Sequence, residues 1–273
     1  MLQSILPDGE MGVRGLLGFI KKNESSCAEY VDLVEVARQR GGIELLVDQT
    51  FEYKLEDNMF KSLSTSYGNP YVKLQGGEYL HVHEYLSKFV NDLKSLGIDL
   101  VFYFDGAKGT STSGDEKKYE TLKARHKWKM EKLSRLLEVC DGMRHVQRLD
   151  EKGNDKFIKP PLLETQVRET LNCLCEKRLC EVIYCTSGEA DLIIAKHLRD
   201  RPKAYAILSS DADFCIFKDC KVIPDDLFDL QNELQVGGKQ PMPSKPKWLE
   251  AAVVSSERVA EVLGVSSFFV HAA

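Results

Sequence analysis

Six carboxylates come at the ends of apolar runs or in the turns and helix starts just after them. They are Asp48, Asp105, Glu189, Asp191, Asp211 and Asp213. In an open α/β sheet, such strand ends are where ligands bind. Two unit charges about 4 Å apart repel by roughly 4 kcal/mol at an effective dielectric near 20, and a hard cation relieves that repulsion. Because magnesium binds carboxylates while accepting phosphate oxygens, the pattern predicts metal-dependent cleavage of a phosphodiester, for which two ions can activate water and stabilise the leaving oxygen.

A simpler interpretation exists for each acid taken alone. A single acid after a strand is usually a turn former or the N-cap of a helix, and Asp48 or Asp211 by itself fits that role. Four acid-bearing strand ends in one chain are harder to explain by capping, so the set favours a metal site.

Alternating strands and helices must position these acids. Short apolar runs bounded by polar residues predict buried parallel strands over residues 43–47, 100–104, 182–185 and 205–208. Helical patterns lie over residues 79–96, 115–139, 162–179 and 189–198, and residues 255–264 have the pattern of a short capped helix. The sequence therefore predicts an α/β fold with a mainly parallel sheet flanked by helices.

Composition limits the classes of protein that the chain can represent. Its 273 residues are 43% hydrophobic, enough for a full core, and its formal charge of −5 argues against a generally basic nucleic-acid binder. No apolar run reaches the roughly 18–20 residues that span a bilayer, and the N-terminus lacks a signal-peptide pattern. These features predict a soluble intracellular protein without a membrane partner.

A local basic track follows the second acid-bearing strand. Residues 106–135 contain nine Lys or Arg residues against four Asp or Glu residues. Candidate phosphate contacts are Lys117, Lys118, Lys123, Arg125 and Lys127, and Trp128 adds aromatic surface that could stack on bases. Lys118 and Arg125 lie two helical turns apart and so share one face. The alternative is a solvated helix face.

Several motifs resemble the flap endonuclease/XPG superfamily. Met11-Gly-Val-Arg-Gly-Leu16 is similar to its N-terminus, and Phe104-Asp-Gly106 resembles its second acidic motif. Glu189-Ala-Asp191 and Ser209-Ser-Asp-Ala-Asp213 resemble its Glu-x-Glu/Asp and Asp-x-Asp motifs. The string that begins at Ser209, together with Lys117-Lys118 and Thr121-Leu-Lys-Ala-Arg125, looks most like the asteroid branch. The string from Met11 to Leu16 also resembles the related constitutive-coactivator proteins.

The resemblance implies a PIN-like nuclease core with divalent metals at one edge of the sheet. Asp105, Glu189, Asp191, Asp211 and Asp213 would be catalytic metal ligands, and Asp48 would act as a ligand or through a bound water. The segment after the Asp-Gly motif would be a helical gateway for single-stranded nucleic acid, in which Lys118 and Arg125 hold the scissile phosphate. The expected division is an N-terminal extension over residues 1–10, a nuclease domain over 11–235, and a linker with the start of an incomplete helical element over 236–273.

Two functions stay open at this point. One is a structure-specific nuclease that uses Mg²⁺ or Mn²⁺, as two ions, to cleave branched or single-stranded DNA during DNA repair in the nucleus. The alternative is a non-catalytic, asteroid- or coactivator-like scaffold that binds protein partners in signalling or transcription. The complete set of six acids favours catalysis. The family's later acid, in a Leu-Gly-(Ser/Asn)-Asp string, has no counterpart in this sequence, which favours the scaffold.

Overall fold

The computed structural model describes residues 13, 15–51, 55, 59, 79–105, 120, 123–124, 126–128, 130–131, 134, 163–186, 190–225, 228 and 249–265. The helices are α1 (Leu16–Lys22), α2 (Glu24–Cys27), α3 (Leu33–Arg40), α4 (Tyr79–Ser95), α5 (Leu163–Glu176), α6 (Ala190–Asp200) and α7 (Ser256–Leu263). The strands are β1 (Ala28–Asp32), β2 (Ile43–Val47), β3 (Ile98–Asp105), β4 (Glu181–Cys185), β5 (Ala204–Ser209), β6 (Lys221–Pro224) and β7 (Glu250–Ser255). Short 3₁₀ helices follow β2 and β5, at Gln49–Phe51 and Ala212–Ile216.

The seven strands of the described residues form one sheet in the order β1-β7-β6-β5-β2-β3-β4. Strands β6, β5, β2, β3 and β4 are parallel to one another, whereas β7 runs antiparallel to both β6 and β1. The parallel strands are short apolar runs because helices cover both of their faces. The predicted α/β class with a mainly parallel sheet is confirmed.

Each face of the sheet has its own core. Phe102 and Phe104 of β3 pack on the first face with residues of α3, α4 and α5. Val101 and Tyr103 of the same strand pack on the second face with residues of α1, α6 and α7. This alternation follows from the two-residue period of a strand, and it decides which face each residue at a strand end will approach.

Arg201, just after α6, holds the amino edge of the sheet. Its Nε donates to Glu44 Oε2 at 2.7 Å, and its Nη2 donates to Glu181 Oε2 at 2.6 Å. Glu44 belongs to β2 and Glu181 to β4, so one guanidinium ties together two strands on either side of β3. Arg201 therefore neutralises acids at the amino edge of the sheet and does not contact the described acids at the carboxyl edge.

The C-terminal part of the described chain belongs to the sheet. Residues 250–263 lie within the segment expected to hold a linker and the start of a helical element, and in the structure they form β7, which pairs with β1 and β6, and then α7. The predicted caps of α7 are present: Ser255 Oγ accepts from Arg258 N at 3.3 Å, and Gly264 follows with φ of 70°.

Other predicted segments are described only in part. The described positions between residues 120 and 134 are helical, and the remainder of the helix predicted over residues 115–139 lies outside the described residues. Residues 1–10 also lie outside them. Within the ranges given above, no helix is both long and apolar enough to cross a membrane.

Candidate metal centre at the carboxyl edge of the sheet

The order of the strands along the sheet reverses beside β2. From β2 the chain continues to β3 and β4 on one side, whereas β5 and β6 lie on the other side of β2. Asp48 directly follows β2, and Asp211 and Asp213 follow its neighbour β5. Ligands of open α/β sheets bind at such a switch point, outside the carboxyl ends of the strands.

The other predicted acids lie along the same edge. Asp105 is the last residue of β3, and Asp191 is in the first turn of α6, which follows β4. Glu189 lies outside the described residues. Five of the six predicted acids are therefore placed at the carboxyl ends of four neighbouring parallel strands or just beyond them.

Alternation along the strands directs these residues to the second face. Leu46, Tyr103 and Ile207 all belong to the second core, so Asp48, Asp105 and Ser209, each two residues later, continue on that side. Helix α6 packs on the same face through Ile194 and carries Asp191. The end of β2, the end of β3 and the start of α6 thus present their acids to a common side.

Two hydroxyl groups tie Asp48 to the turn after β5. Asp48 Oδ2 accepts from Thr50 Oγ1 and from Ser209 Oγ, the latter at 2.8 Å. The same hydroxyls accept from the turn: Ser209 Oγ from Asp211 N at 2.9 Å, and Thr50 Oγ1 from Ser210 N at 3.2 Å. Asp48 is 5% exposed and Ser209 is 1% exposed, so buried hydrogen bonds fix the switch point. Sequence reasoning missed Thr50, and it quoted Ser209 only as part of a motif.

Asp211 and Asp213 have local structural partners as well. Asp211 caps the 3₁₀ helix that follows, because its Oδ1 accepts from Asp213 N at 2.9 Å. Asp213 Oδ1 accepts from Val13 N at 2.8 Å, which attaches the N-terminal motif to this turn. The capping role considered for a single acid is therefore present at Asp211.

The charge on Asp211 is unfavourable in its surroundings. Burial is the main cause that raises the pKa of its carboxyl, and the charges of Asp213 and Asp48 raise it further. The hydrogen bond from the backbone of Asp213 acts in the opposite direction. Asp48, Asp211 and Asp213 therefore share one electrostatic environment.

The pKa of Cys185 shows the electrostatic influence of other acids at this edge. It ends β4 and pairs with Asp105 in the register of β3 and β4. Burial raises the pKa of its thiol to about 11, and the charges of Asp105, Asp191 and Asp48 contribute to the increase. Three acids, Asp105, Asp191 and Asp48, are therefore close enough to disfavour a negative charge at Cys185.

The chemistry of these donors fits a hard cation. Carboxylate oxygens suit Mg²⁺ or Mn²⁺ rather than a thiolate-binding metal, and a cation would offset the repulsion that raises the pKa of Asp211. In the described part of the chain, no three His, Cys, Asp or Glu side chains are arranged so that they could hold a metal ion. Glu189, a sixth possible ligand, is not among those residues.

The basic track is described at only some of its candidate positions. Lys123 and Lys127 are exposed and lie four residues apart at helical positions, hence on one face. Lys123 Nζ is 3.5 Å from Glu120 Oε1, and the neighbouring Trp128 is exposed. Lys117, Lys118 and Arg125 lie outside the described residues.

The seven described strands and the helices on both faces of their sheet form the mainly parallel α/β architecture that the motifs implied. No protein-family model matches the chain. In sequence, the chain is similar to the constitutive coactivator of peroxisome proliferator-activated receptor gamma from Bos taurus, with 24% identity over 216 residues. The resemblance to the constitutive-coactivator proteins is thereby confirmed.

Solved structures that resemble the chain include complexes with DNA. The catalytic core of Rad2 in complex with DNA substrate has a TM-score of 0.43 and 15% identity, over 93% of this chain and 57% of that one. Human GEN1 in complex with Holliday junction DNA has a TM-score of 0.45 and 14% identity, over 93% of this chain and 47% of that one. The chain spans 27% of the bovine coactivator's length, and 77% of its own length aligns with it.

Proposed function

We propose that this protein is a structure-specific, divalent-metal-dependent nuclease that cleaves phosphodiester bonds in branched or single-stranded DNA. The observation that supports it is the placement of Asp48, Asp105, Asp191, Asp211 and Asp213 along one edge of four neighbouring parallel strands, around the switch point between β2 and β5. The proposal includes a role in DNA repair in the nucleus.

Each group of residues has a distinct role in this proposal. Asp105, Glu189, Asp191, Asp211 and Asp213 would hold two Mg²⁺ or Mn²⁺ ions, and such ions supply an activated water and stabilise the leaving oxygen. Asp48, fixed by Thr50 and Ser209, would add negative charge or hold a water. The basic track would hold the phosphates of the strand, with Lys118 and Arg125 at the scissile phosphate and Lys117, Lys123 and Lys127 beside them.

A second candidate is a non-catalytic scaffold for protein partners in signalling or transcription. Two observations favour it: the similar bovine protein is named a coactivator, and several acids already have partners within the chain. Asp48 accepts from two hydroxyls, Asp211 caps a 3₁₀ helix and Asp213 accepts from Val13. These hydrogen bonds give the acids a structural purpose that needs no metal.

The test compares two aspartates at opposite ends of β3. Asp105→Asn changes the candidate site, whereas Asp99→Asn changes an acid near the amino end that pairs with Lys94 at 2.8 Å. We expect manganese to raise the melting temperature of the unmodified protein and of Asp99→Asn, and to raise that of Asp105→Asn much less. Magnesium or manganese should support cleavage of single-stranded, flap or overhang DNA, and Asp105→Asn should abolish it.

The outcomes separate the two candidates. Manganese binding that depends on Asp105, together with a failure to cleave any of these substrates, would leave the scaffold as the better explanation. An equal response of all three proteins to manganese would exclude the metal centre itself.

A further inference from the structure

An exposed tyrosine lies beside the acidic edge. Tyr184 is on β4, the last strand in the order of the sheet, and its residue is 42% exposed. In the register of the two strands, Phe104 lies opposite Tyr184, and Asp105 lies opposite the next residue, Cys185. Tyr184 is therefore one position along β4 from the residue that pairs with Asp105, with its side chain on the opposite face of the sheet.

The ring is held in place on its inner side. It stacks on Phe104 with 5.7 Å between the ring centroids and 28° between the ring planes. Its hydroxyl donates to Asn172 Oδ1 of α5 at 3.1 Å. Phe104 in turn contacts the guanidinium of Arg168, whose central carbon is 5.1 Å from the ring centroid. An aromatic ring fixed in this way loses little conformational entropy when a ligand stacks on it.

We propose that Tyr184 is a stacking platform for an unpaired nucleobase of the DNA strand whose phosphates approach the acidic edge. The proposal rests on the nuclease function proposed above. A flat, exposed aromatic ring accepts the face of any base, and Arg168 adds positive charge behind the stack. Within a duplex the faces of a base are covered by its neighbours, so this platform selects single-stranded or frayed DNA.

The position of the platform relative to the acids defines the path of the strand. Phe104 belongs to the first core, so Tyr184 lies on the α5 side of the sheet, whereas Asp105 is directed to the α6 side. Successive residues of a strand are only about 3.3 Å apart. A strand stacked on Tyr184 would therefore have to pass around the end of β4 before its next phosphates reach the acids.

Binding measurements with chelator present test this without cleavage. The variants are Tyr184→Ala, Tyr184→Phe and, as a matched control, Tyr30→Ala, since Tyr30 is 56% exposed on β1 at the far end of the sheet. In fluorescence anisotropy with a labelled oligothymidylate, Tyr184→Ala should bind roughly 5- to 150-fold more weakly than the unmodified protein. The dependence on salt should be unchanged, because no phosphate contact is lost. Tyr184→Phe and Tyr30→Ala should bind as the unmodified protein does.

A second arm replaces the bases rather than the tyrosine. An oligonucleotide of abasic sites should bind the unmodified protein and Tyr184→Ala equally, because the oligonucleotide has no base that could stack on the tyrosine ring. If Tyr184→Ala does not fold, Tyr184→Leu keeps an apolar contact with Phe104 and removes the flat ring, and it should show the same loss.

Failure of the stacking platform can be distinguished from failure of the nuclease. If the unmodified protein binds oligothymidylate and the folded Tyr184 variants bind it equally well, the platform is overturned and the nuclease stands. A changed salt dependence in those variants would also overturn it, since it would indicate altered phosphate contacts. If the unmodified protein binds no DNA, both proposals fall.

Discussion

Replacing Asp211 by asparagine should stabilise the metal-free protein at neutral pH. Asparagine keeps the oxygen that accepts from Asp213 N at 2.9 Å, so the cap of the 3₁₀ helix survives. It removes a charge that burial disfavours and that Asp213 and Asp48 repel, the causes that raise the pKa of Asp211. The same change should weaken the response to manganese, because a candidate ligand loses its charge.

The alanine variant separates the charge from the cap. Asp211→Ala also removes the charge, but it leaves Asp213 N without its acceptor. Loss of such a cap costs about 1 kcal/mol. In a protein of this size that corresponds to a melting temperature about 2 °C below that of Asp211→Asn.

The effect of pH follows from the direction of the shift in pKa. Because the pKa of Asp211 is raised above its ordinary value of 3.8, the folded state binds more protons than the unfolded state between 3.8 and the raised value. Stability attributable to Asp211 therefore falls as pH rises through that window. The gain from Asp211→Asn should be complete at neutral pH and should disappear below pH 3.8, where both states are protonated.

Urea unfolding at several pH values, with chelator present, measures these differences. The electrostatic reasoning would be refuted if Asp211→Asn were less stable than the unmodified protein at neutral pH. A gain of the same size at every pH would refute it as well, since an uncharged Asp211 would then be no better tolerated than a charged one.

Three further predictions concern the frame and the basic track. Arg201→Ala should lower the free energy of unfolding by about 2 kcal/mol, because it leaves the partly buried glutamates of β2 and β4 without their partner; a loss under about 0.5 kcal/mol would indicate an ordinary surface pair. Ser209→Ala should cost about 1–2 kcal/mol in urea unfolding and weaken manganese binding, whereas Ser210→Ala, which keeps its backbone donor, should change neither. Lys123→Glu with Lys127→Glu should weaken binding of single-stranded DNA and reduce the salt slope by about 1.4, the value for two phosphate contacts; an unchanged slope would indicate a solvated helix face.

Four of the five parallel strands among the described residues were predictable because burial on both faces leaves a direct record in the sequence, whereas β6 was not predicted. The runs at residues 43–47, 100–104, 182–185 and 205–208 became β2, β3, β4 and β5, with each end displaced by at most two residues. In β2, four of the five residues are buried and apolar, and Glu44 near the amino end is the exception. A strand covered by helices on both faces therefore consists largely of apolar residues.

The antiparallel strands were missed for physical reasons. Tyr30 and Glu29 of β1 are exposed, so this outermost strand lacks a continuous apolar run. The Ala-Ala-Val-Val core of β7 follows a stretch rich in Gly and Pro over residues 237–246, which predicts a linker. Its place between β1 and β6 depends on pairing with segments more than 30 residues away in the chain, and local patterns do not encode that pairing.

The acids of the candidate site were predictable, but their supporting hydroxyls were not. A strand end can be recognised from its own neighbourhood, and this located Asp48, Asp105 and Asp211. The bond between Ser209 and Asp48 joins residues 161 positions apart, and the contact between Thr50 and Ser209 joins residues 159 apart. Both exist only because β5 lies beside β2, which a list of strands in chain order does not reveal.

The structural roles of the acids do not by themselves account for their charge. Asparagine and aspartate cap helices about equally well, so an asparagine side chain in place of Asp211 would satisfy the bond from Asp213 N just as the carboxylate does. The charge brings a cost that the cap does not require, since burial, Asp213 and Asp48 all disfavour it. A bound cation turns that cost into binding energy, whereas a scaffold gains nothing from it. The stability of Asp211→Asn without metal therefore tests the proposed function. If this variant is clearly more stable than the unmodified protein, the charge of Asp211 destabilises the metal-free fold, as expected of a ligand in a metal centre.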